Sequence, residues 1–375
     1  MARCAPLRLG TSTDTFNPGK LKAGTEEIDL ATTKNVKWVA KLGSQSYGNP
    51  TIANGRVYVG TNNDSPRDKR HLGDRSILLC LDEKTGEMHW QLVVPKLKSG
   101  KVNDWESLGL LSSPTIEGDR VYVVTSRCEV LCLSVDGMAK GNQGPYKDEA
   151  KYAVLDIVGP DGKPAAPIPP GPKDADILWR YDMMDELGVF PHNASNCSVL
   201  IVGDVLYVCT SNGQDWTHVN IPSPLSPSLI AINKKTGELL GEDDAKIGSR
   251  LFHGQWSSPS TGKVNGKDLI FFRNRPDGEG ETLADLVHQT AMYYQDRLGG
   301  QGFGSVLLAG EGRDAADLAS VQRELESRLG GTVERLDPRR VVAVADRVHG
   351  TTEAAAVIPP LCGILLREIR DRQVA

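Results

Sequence analysis

Three histidines in the middle of the chain, His192, His218 and His253, have the side chains best suited to metal binding or general-base catalysis. Neutral imidazole is a common zinc ligand, and its pKa near neutrality suits proton transfer. Metal-binding histidines often recur at a fixed spacing, such as two residues four apart on one helical face. Because none of the three has such a partner, the sequence predicts separate loop histidines and no metal site.

The seven cysteines also predict neither a zinc site nor a disulfide framework. Cys128 and Cys132 form the closest pair, but the stretch between them has the pattern of a strand, where a spacing of four only places both on one face. We therefore expect buried free thiols, the usual environment of unpaired cysteine. The full set is Cys4, Cys80, Cys128, Cys132, Cys197, Cys209 and Cys362.

The acidic turn DEKTGE begins with Asp82 and Glu83. A calcium loop spaces its oxygen ligands at alternating positions, and this turn lacks that spacing, so we interpret both residues as turn carboxylates. Trp105, Trp216 and Trp256 fall near loops. Tryptophans there stack on ligands or pack beneath the loop, and we favour packing.

The composition excludes two classes of partner. The 375 residues include 43 Lys plus Arg and 48 Asp plus Glu, for a net charge of -5, whereas phosphate binding needs a dense basic surface. No run approaches the roughly 18 apolar residues of a membrane-spanning helix. We therefore expect no nucleic acid partner and no membrane span. The N-terminal residues lack the apolar core of a signal peptide.

A repeated pattern must position these residues. Four segments share an apolar run, a tight turn and a second run rich in β-branched and aromatic residues, which is the pattern of a β-hairpin. Tyr58, Tyr122 and Tyr207 occupy equivalent places in the first three. The segments are residues 49–61, 112–125, 197–210 and 257–272, with turns at Asn54-Gly55, Gly118-Asp119, Gly203-Asp204 and Asn265-Gly266.

A second element follows each of the first three hairpins, in residues 77–90, 129–137 and 228–243. It consists of an apolar strand, followed in the first and third copies by a turn that contains Lys-Thr-Gly-Glu, where glycine can take a positive φ. Two hairpins per unit make a four-stranded antiparallel blade. Residues 141–176 hold seven prolines, which predicts a surface insertion with little regular structure.

The segment CLDEKTGEMHW resembles the tryptophan-docking signature of PQQ-like, or quinoprotein-type, β-propeller repeats. The matching residues are Asp82, Thr85, Gly86 and Trp90, with Cys80 in the position of a small residue. The resemblance covers about residues 35–272. It implies that the tryptophan packs on the glycine peptide of a neighbouring blade, where a flat ring covers backbone that has no Cβ.

A second copy of this signature, AINKKTG, is similar through Ala231, Thr236 and Gly237, but Gly241 stands where tryptophan is expected. The PQQ-like family includes quinone-dependent dehydrogenases and non-enzymatic scaffolds of the BamB type. In the dehydrogenases the resemblance implies an eight-bladed ring, a disulfide between adjacent cysteines, and Glu, Asn and Asp ligands for calcium. This sequence has no adjacent cysteines and only about three and a half blades, so we expect no cofactor and no catalytic residues.

The pattern changes after Phe272. Apolar residues then recur at helical spacing in residues 281–298, residues 305–309 read as a buried strand, and a helix is expected from Asp314 to Leu329. A strand at 332–336 and a last helix from about 359 complete an α/β order. All 20 lysines lie at or before Lys267, whereas residues 273–375 contain 13 arginines and no lysine. Two segments of different origin explain this break.

The C-terminal segment resembles the end of actin-like ATPases of the PilM pilus-assembly family, over about residues 281–370. The motif LAGEG is similar to their adenosine motif, which makes Gly310 and Gly312 candidates for nucleotide binding. No phosphate loop of the kind that precedes the motif in that family is present, so we interpret both as turn glycines.

These patterns predict a mainly β protein: a partial propeller of about three and a half blades followed by a small α/β fragment. The expected domains are an irregular segment 1–34, propeller repeats 35–272, a linker 273–280 and an actin-like fragment 281–375. The expected function is a non-catalytic scaffold that binds protein partners, or itself, through open propeller edges. The alternatives are a quinone-dependent oxidoreductase, a nucleotide-binding pilus-assembly protein, and a chimeric or truncated gene product. Family resemblance suggests the periplasm or envelope, although no signal peptide is visible.

Overall fold

The computed structural model describes residues 17–272, apart from 26, 98–104, 160, 252 and 265–266, together with 306–308, 315–329 and 332–335. The chain separates into two compact units, Met1–Asp277 and Gly278–Ala375, and each is described by itself. Within the described part of the chain, no helix is long and apolar enough to cross a membrane.

Three four-stranded antiparallel sheets dominate the first unit, and each is one propeller blade with its strands in sequential order. The fold is therefore mainly β, as predicted. Blade 1 contains β3 (Thr51–Ala53), β4 (Arg56–Asn62), β5 (Arg75–Asp82) and β6 (Met88–Pro95). Blade 2 contains β7 (Thr115–Glu117), β8 (Arg120–Val124), β9 (Glu129–Ser134) and β10 (Ile177–Asp182). Blade 3 contains β11 (Leu200–Val202), β12 (Val205–Cys209), β13 (Leu229–Asn233) and β14 (Leu239–Glu242).

Short elements surround the blades. A two-stranded sheet of β1 (Lys20–Leu21) and β2 (Ile28–Asp29) lies in the segment predicted to be irregular. Strands of two residues carry no hydrophobic alternation, so the sequence pattern could not show them. The antiparallel hairpin β15 (Ser260–Val264) and β16 (Lys267–Phe271) follows blade 3, so the described strands form three blades and a further half.

The predicted hairpin turns of the three blades are confirmed. Asn54 and Gly55 both have positive φ, 52° and 75°, which is the backbone that a two-residue type I′ hairpin turn needs. Gly118 and Gly203 each have a φ of 60° at the equivalent place. The turn predicted at 265–266 lies outside the described residues.

Apolar layers lie between successive blades. Tyr58, Leu78 and Trp90 of blade 1 pack with Val121 and Leu131 of blade 2. A second layer joins blade 2 to blade 3, and a third covers the first face of blade 1 with Trp38 and Leu42. Blades 1 and 2 therefore bury both faces. Burial of large apolar side chains in these layers is the main stabilising contribution to such a fold.

The cysteines contribute to these layers as small apolar residues. Cys80, Cys128, Cys132, Cys197 and Cys209 are buried free thiols, as predicted for this part of the chain. Burial raises the pKa of Cys80 to about 11 and that of Cys132 to about 12. Thiols held in this protonated form are poor nucleophiles and poor metal ligands.

The proline-rich insertion is more buried than its composition predicts. It contains helix α1 (Glu149–Tyr152), whose Tyr152 is buried in the layer between blades 1 and 2. The burial of Tyr152 departs from the expectation of a surface insertion, because this aromatic side chain anchors the segment to the blades. The expectation of little regular structure agrees with the single four-residue helix in the described part of the insertion. Helix α2 (Met183–Leu187) follows β10, and the Asp182 carboxylate caps it by accepting from the Met184 and Asp185 amides.

The second unit is described only in part. Strands β17 (Val306–Leu308) and β18 (Val333–Arg335) pair in parallel, and helix α3 (Ala315–Leu329) connects them. These confirm the strand, helix and strand predicted there. Leu325 and Val333 form its buried centre, with Val321 and Leu329 packed against them. The helices predicted at 281–298 and from about 359 lie outside the described residues.

Candidate functional site

Three tryptophans dock on turn glycines of the next blade along the chain. Trp38 lies against Gly86, Trp90 against Gly137 and Trp179 against Gly237. The Nε1–H of each indole also donates to a backbone carbonyl two or three residues before the glycine, at 2.9 Å to Glu83, 2.8 Å to Val135 and 3.2 Å to Lys234. Each dock therefore combines an apolar contact and a hydrogen bond between the tryptophan and the next blade.

Glycine is required at these docks for two independent reasons. The three glycines have φ values of 76°, 56° and 80°, a region that other residues adopt only with strain. An added Cβ would also lie 2.6 or 2.7 Å from a ring carbon of the docked tryptophan, which is closer than van der Waals contact allows. A side chain here would force the seam apart.

Polar side chains of the repeat shape the turns that carry the docking glycines. The Asp82 Oδ1 accepts from the Lys84 and Thr85 amides, both at 2.8 Å, and these bonds hold the pKa of Asp82 below its usual value. Asn233 accepts from the Lys235 and Thr236 amides in the same way. Asp82 and Thr85 thus lie in one turn and Thr236 in its counterpart. Each is an Asx turn that presents the glycine to the indole.

Sequence reasoning named Trp90 and missed two of the three docking tryptophans. Trp38 precedes its glycine by 48 residues, Trp90 by 47 and Trp179 by 58. The signal was this recurring distance, which is 47 or 48 residues at the first two docks and 58 at the third.

Equivalent positions form one row across each blade. The row in blade 1 is Thr51, Tyr58, Cys80 and Trp90; in blade 2 it is Thr115, Tyr122, Cys132 and Trp179; in blade 3 it is Leu200, Tyr207, Ala231 and Gly241. The first two rows face the following blade and are buried at tyrosine and tryptophan. In blade 3, β13 alternates between buried and half-buried residues, and Ala231 is half-buried. Its row ends in Gly241, where no atom of the described residues lies within 4 Å of the position of an added Cβ.

Three histidines converge beside blade 3. The ring centroids of His192 and His218 are 4.8 Å apart, those of His192 and His253 are 5.3 Å apart, and those of His218 and His253 are 4.8 Å apart. One ring nitrogen from each lies within 4.8 Å of the other two. His192 is fully buried, His253 is half-buried and His218 is exposed. The interpretation of these residues as separate loop histidines is therefore wrong.

Three chain segments bring the histidines together. Isolated bridges join Pro191 to Asn212 and Gly213 to Gly254, so the segments lie side by side. The Gln214 amide donates to the His253 carbonyl at 2.7 Å, and its side-chain oxygen accepts from the His253 amide at 2.9 Å. His218 and His253 both have a φ of 60°. The histidines are 26 and 35 residues apart along the chain, so no local spacing could have revealed the cluster.

The two ring nitrogens of His192 differ in their hydrogen bonding. Its Nδ1 lies 2.8 Å from the backbone carbonyl oxygen of Gln214, which can only accept, so Nδ1 carries the proton. The buried Nε2 has no hydrogen-bond partner among the residues that the structure describes. Burial lowers the pKa of His192, which favours the neutral ring. The arrangement presents a lone pair with no donor, and this is the chemistry of a metal ligand.

A buried ion cluster centred on Glu129 differs from the histidine cluster, because its charged groups are paired with one another. Its Oε2 accepts from the Tyr152 hydroxyl at 2.7 Å and from Thr125, while its Oε1 pairs with Arg180 at 2.8 Å and with Arg127 at 3.5 Å. Glu129 has no exposed side-chain surface and Arg127 only 6%. Arg127 and Arg180 also pair with Asp156 and Asp182. Each charge therefore has an opposite charge beside it.

A second group of possible ligands contains Asp68, His71 and Asp174. The Arg70 guanidinium pairs with both carboxylates, at 2.5 and 2.9 Å. A resident arginine already supplies the positive charge that a metal would bring, so the two carboxylates form an ion pair network with Arg70.

Other candidates from the sequence stand apart. Gly310 and Gly312 lie outside the described residues. Trp105 and Trp216 are 62% and 63% exposed, so the expectation that they pack beneath loops is wrong. Trp256 joins the histidine cluster, where its ring stacks on His253 and its Nε1–H donates to the His192 carbonyl at 3.1 Å.

Solved structures similar to this chain include two enzymes and one assembly factor. Quinohemoprotein alcohol dehydrogenase ADHIIG from Pseudomonas putida HK5 is 10% identical, with a TM-score of 0.32, over 60% of this chain and 28% of the enzyme. The quinohemoprotein alcohol dehydrogenase of Comamonas testosteroni is 12% identical, with a TM-score of 0.31, over 63% of this chain and 40% of the enzyme. BamB from Moraxella catarrhalis is 15% identical, with a TM-score of 0.23, over 67% of this chain and 81% of that protein.

This chain thus spans less than half the length of the two dehydrogenases. No curated protein sequence matches it. The family model described as "Outer membrane protein assembly factor BamB" matches residues 27–139 and 72–251. Together the two matches cover 27–251, which is more than half of the 375 residues. With its blades, rows and tryptophan docks, the chain belongs to this family of PQQ-like propeller repeat proteins.

Proposed function

We propose that this chain is a non-catalytic propeller scaffold that binds a partner through the open face of blade 3. One observation carries the proposal. The row of Tyr207, Ala231 and Gly241 occupies the place where blades 1 and 2 receive their next blade, and it is the row that lacks a docking tryptophan. A face that is covered in two blades and half open in the third is a surface on which another sheet can pack.

The occupant that we propose is a second copy of the chain. A copy offers the same apolar row, and like rows pack on each other in a two-fold interface. Exposed apolar side chains lie near this end of the first unit's sequence, and Leu240 of β14 and Phe271 of β16 are among them. The family description also supports a protein-binding role in envelope assembly, since it names an assembly factor.

Light scattering during size-exclusion chromatography tests this proposal. Wild-type protein over a concentration series should show a mass above the 40.6 kDa of one chain. Ala231→Glu places a carboxylate in the row and should shift the protein to monomer, because burying an unpaired charge is costly. Leu72→Glu changes an exposed leucine of blade 1 and should leave the mass unchanged. A stable wild-type monomer at every concentration would contradict the proposal.

The quinone-dependent oxidoreductase, the nucleotide-binding protein and the chimeric product remain predictions from the sequence. The scaffold is preferred to the oxidoreductase because the 375 residues contain no adjacent cysteines. Reconstitution with PQQ and calcium separates the two. Saturable binding of one PQQ per chain would favour the oxidoreductase.

A further inference from the structure

We propose that His192, His218 and His253 together bind one divalent transition-metal ion of the zinc class. Three imidazoles with one open position are a known coordination set for zinc. The ring nitrogens already lie within 4.8 Å of one another. Tetrahedral zinc at about 2.0–2.1 Å from each nitrogen separates its ligands by about 3.4 Å, so closure around the ion needs shifts of about 1 Å.

The hydrogen bonding of His192 already suits metal binding in the absence of an ion. The Gln214 carbonyl accepts from Nδ1–H, which fixes the tautomer and directs the lone pair onto Nε2. Nε2 is buried, and no residue in the described part of the chain forms a hydrogen bond with it. A buried acceptor without a donor is uncommon in folded proteins, and a metal ion would satisfy it. The same carbonyl contact would hold the ring in place as the ion binds.

The surroundings favour a neutral ligand set. Asp215 lies on the same loop as His218, but its carboxylate oxygens accept from Thr217 and from Asn220. Trp256 covers one side of His253 by stacking, with 17° between the ring planes. Three neutral imidazoles leave the double charge of the ion uncompensated, so the fourth position suits water or a small anion. The exposure of His218 leaves this position open to solvent.

The ion would link three segments that are distant in sequence. His192 precedes β11, His218 lies in the loop between β12 and β13, and His253 precedes β15. A bound ion would therefore cross-link the loop of blade 3 to the segments before and after the blade. The site stands whether or not the open face of blade 3 binds a second copy.

Zinc titration of the full-length, tag-free chain by calorimetry tests the site. Wild-type protein should bind one zinc ion per chain with a dissociation constant in the micromolar range or lower. His218→Asn removes an exposed ligand, and asparagine tolerates the positive φ at this position. Zinc affinity should fall at least about 100-fold, as expected when one of three ligands is lost. His253→Asn, also at positive φ, should do the same.

Two control variants make the result specific. His89→Asn changes a partly exposed histidine that lies near Asp82, and it should leave zinc affinity unchanged. His71→Asn removes the imidazole of the second group of possible ligands and should also leave it unchanged. Circular dichroism checks that each variant is folded, and cobalt substitution gives an independent absorption signal for tetrahedral coordination. Wild-type protein that binds no zinc, or affinity that depends on His71 and not on His218 or His253, would overturn the proposal.

Discussion

The Glu129 cluster and the three-histidine cluster are both polar groups placed against an apolar interior, yet they are built in opposite ways. Around Glu129, two arginines, two aspartates and a tyrosine hydroxyl match one another across β9, β10 and the insertion. Around His192, three rings face one another, and within the described residues the buried Nε2 of His192 has no hydrogen-bond partner. In the first cluster each charge has an opposite charge beside it, whereas the second leaves a buried ring nitrogen without a hydrogen bond among the described residues.

This difference separates a structural role from a binding role. Buried charges that are paired hold segments in register, and loss of one member leaves its partners uncompensated. A buried lone pair without a donor is an unsatisfied group in the free protein, and it gains when a ligand arrives. We therefore expect changes at Glu129 to act on folding, and changes at the histidines to act on metal affinity.

Glu129→Gln should have the largest effect on stability. It keeps the shape of the side chain but leaves Arg127 and Arg180 facing a neutral group, and we expect a loss of about 3–5 kcal/mol in the free energy of unfolding. Urea denaturation measures it. The matched control is Glu117→Gln, because Glu117 forms a half-exposed pair with Lys234 and should lose about 0–1 kcal/mol. Equal losses for the two variants would show that the Glu129 cluster does not hold the blades.

Gly137→Ala should have the next largest effect, because it disturbs the packing of the Trp90 ring on its docking glycine. The new Cβ would meet the Trp90 ring at 2.7 Å, and the residue keeps a φ of 56°. We expect a loss of about 2–3 kcal/mol, measured by urea denaturation.

Gly118→Ala is the control for backbone strain alone. Gly118 has a φ of 60°, and no atom of the described chain lies within 4 Å of an added Cβ, so the loss should be about 1 kcal/mol. The difference between the two variants is the steric cost of placing a Cβ against the Trp90 ring and the Asp174 carbonyl oxygen. Losses of the same size would contradict tight packing at this dock.

Asp182→Asn should have the smallest effect on stability, and it tests the raised pKa of Asp182 beside Glu129. Burial, followed by the nearby charge of Glu129, raises the pKa of Asp182 above the usual 3.8. As pH rises from 3.8 through the raised pKa, the unfolded chain releases this proton first, so wild-type protein loses stability in that window.

Asparagine keeps the cap of α2 and has no such proton to release. The stability of Asp182→Asn relative to wild type should therefore be greater at pH 7 than at pH 3, by less than about 1 kcal/mol. Urea denaturation at both pH values measures it. A difference that is constant with pH would contradict the raised pKa.

The sequence predicted what the repeat dictates. The hairpin turns, the rows of Tyr58 and Tyr122, and the Asp82 turn recur along the chain, and each copy supports the interpretation of the others. The dock of Trp38 was not predicted, because Trp38 lies before the first full copy of the repeat. The histidine cluster was missed for a different reason, because its three segments are distant in sequence and lie side by side only in the folded chain. Periodicity carries information about blades and none about loops that converge.

Anomalous diffraction at the zinc absorption edge, on crystals grown with zinc, tests the central contrast most directly. The open cluster should show one strong peak at about 2.1 Å from a ring nitrogen of each of His192, His218 and His253. The group of Asp68, His71 and Asp174, which Arg70 already neutralises, should show none. A peak at the second group, or no peak at the three histidines in zinc-saturated crystals, would contradict the account.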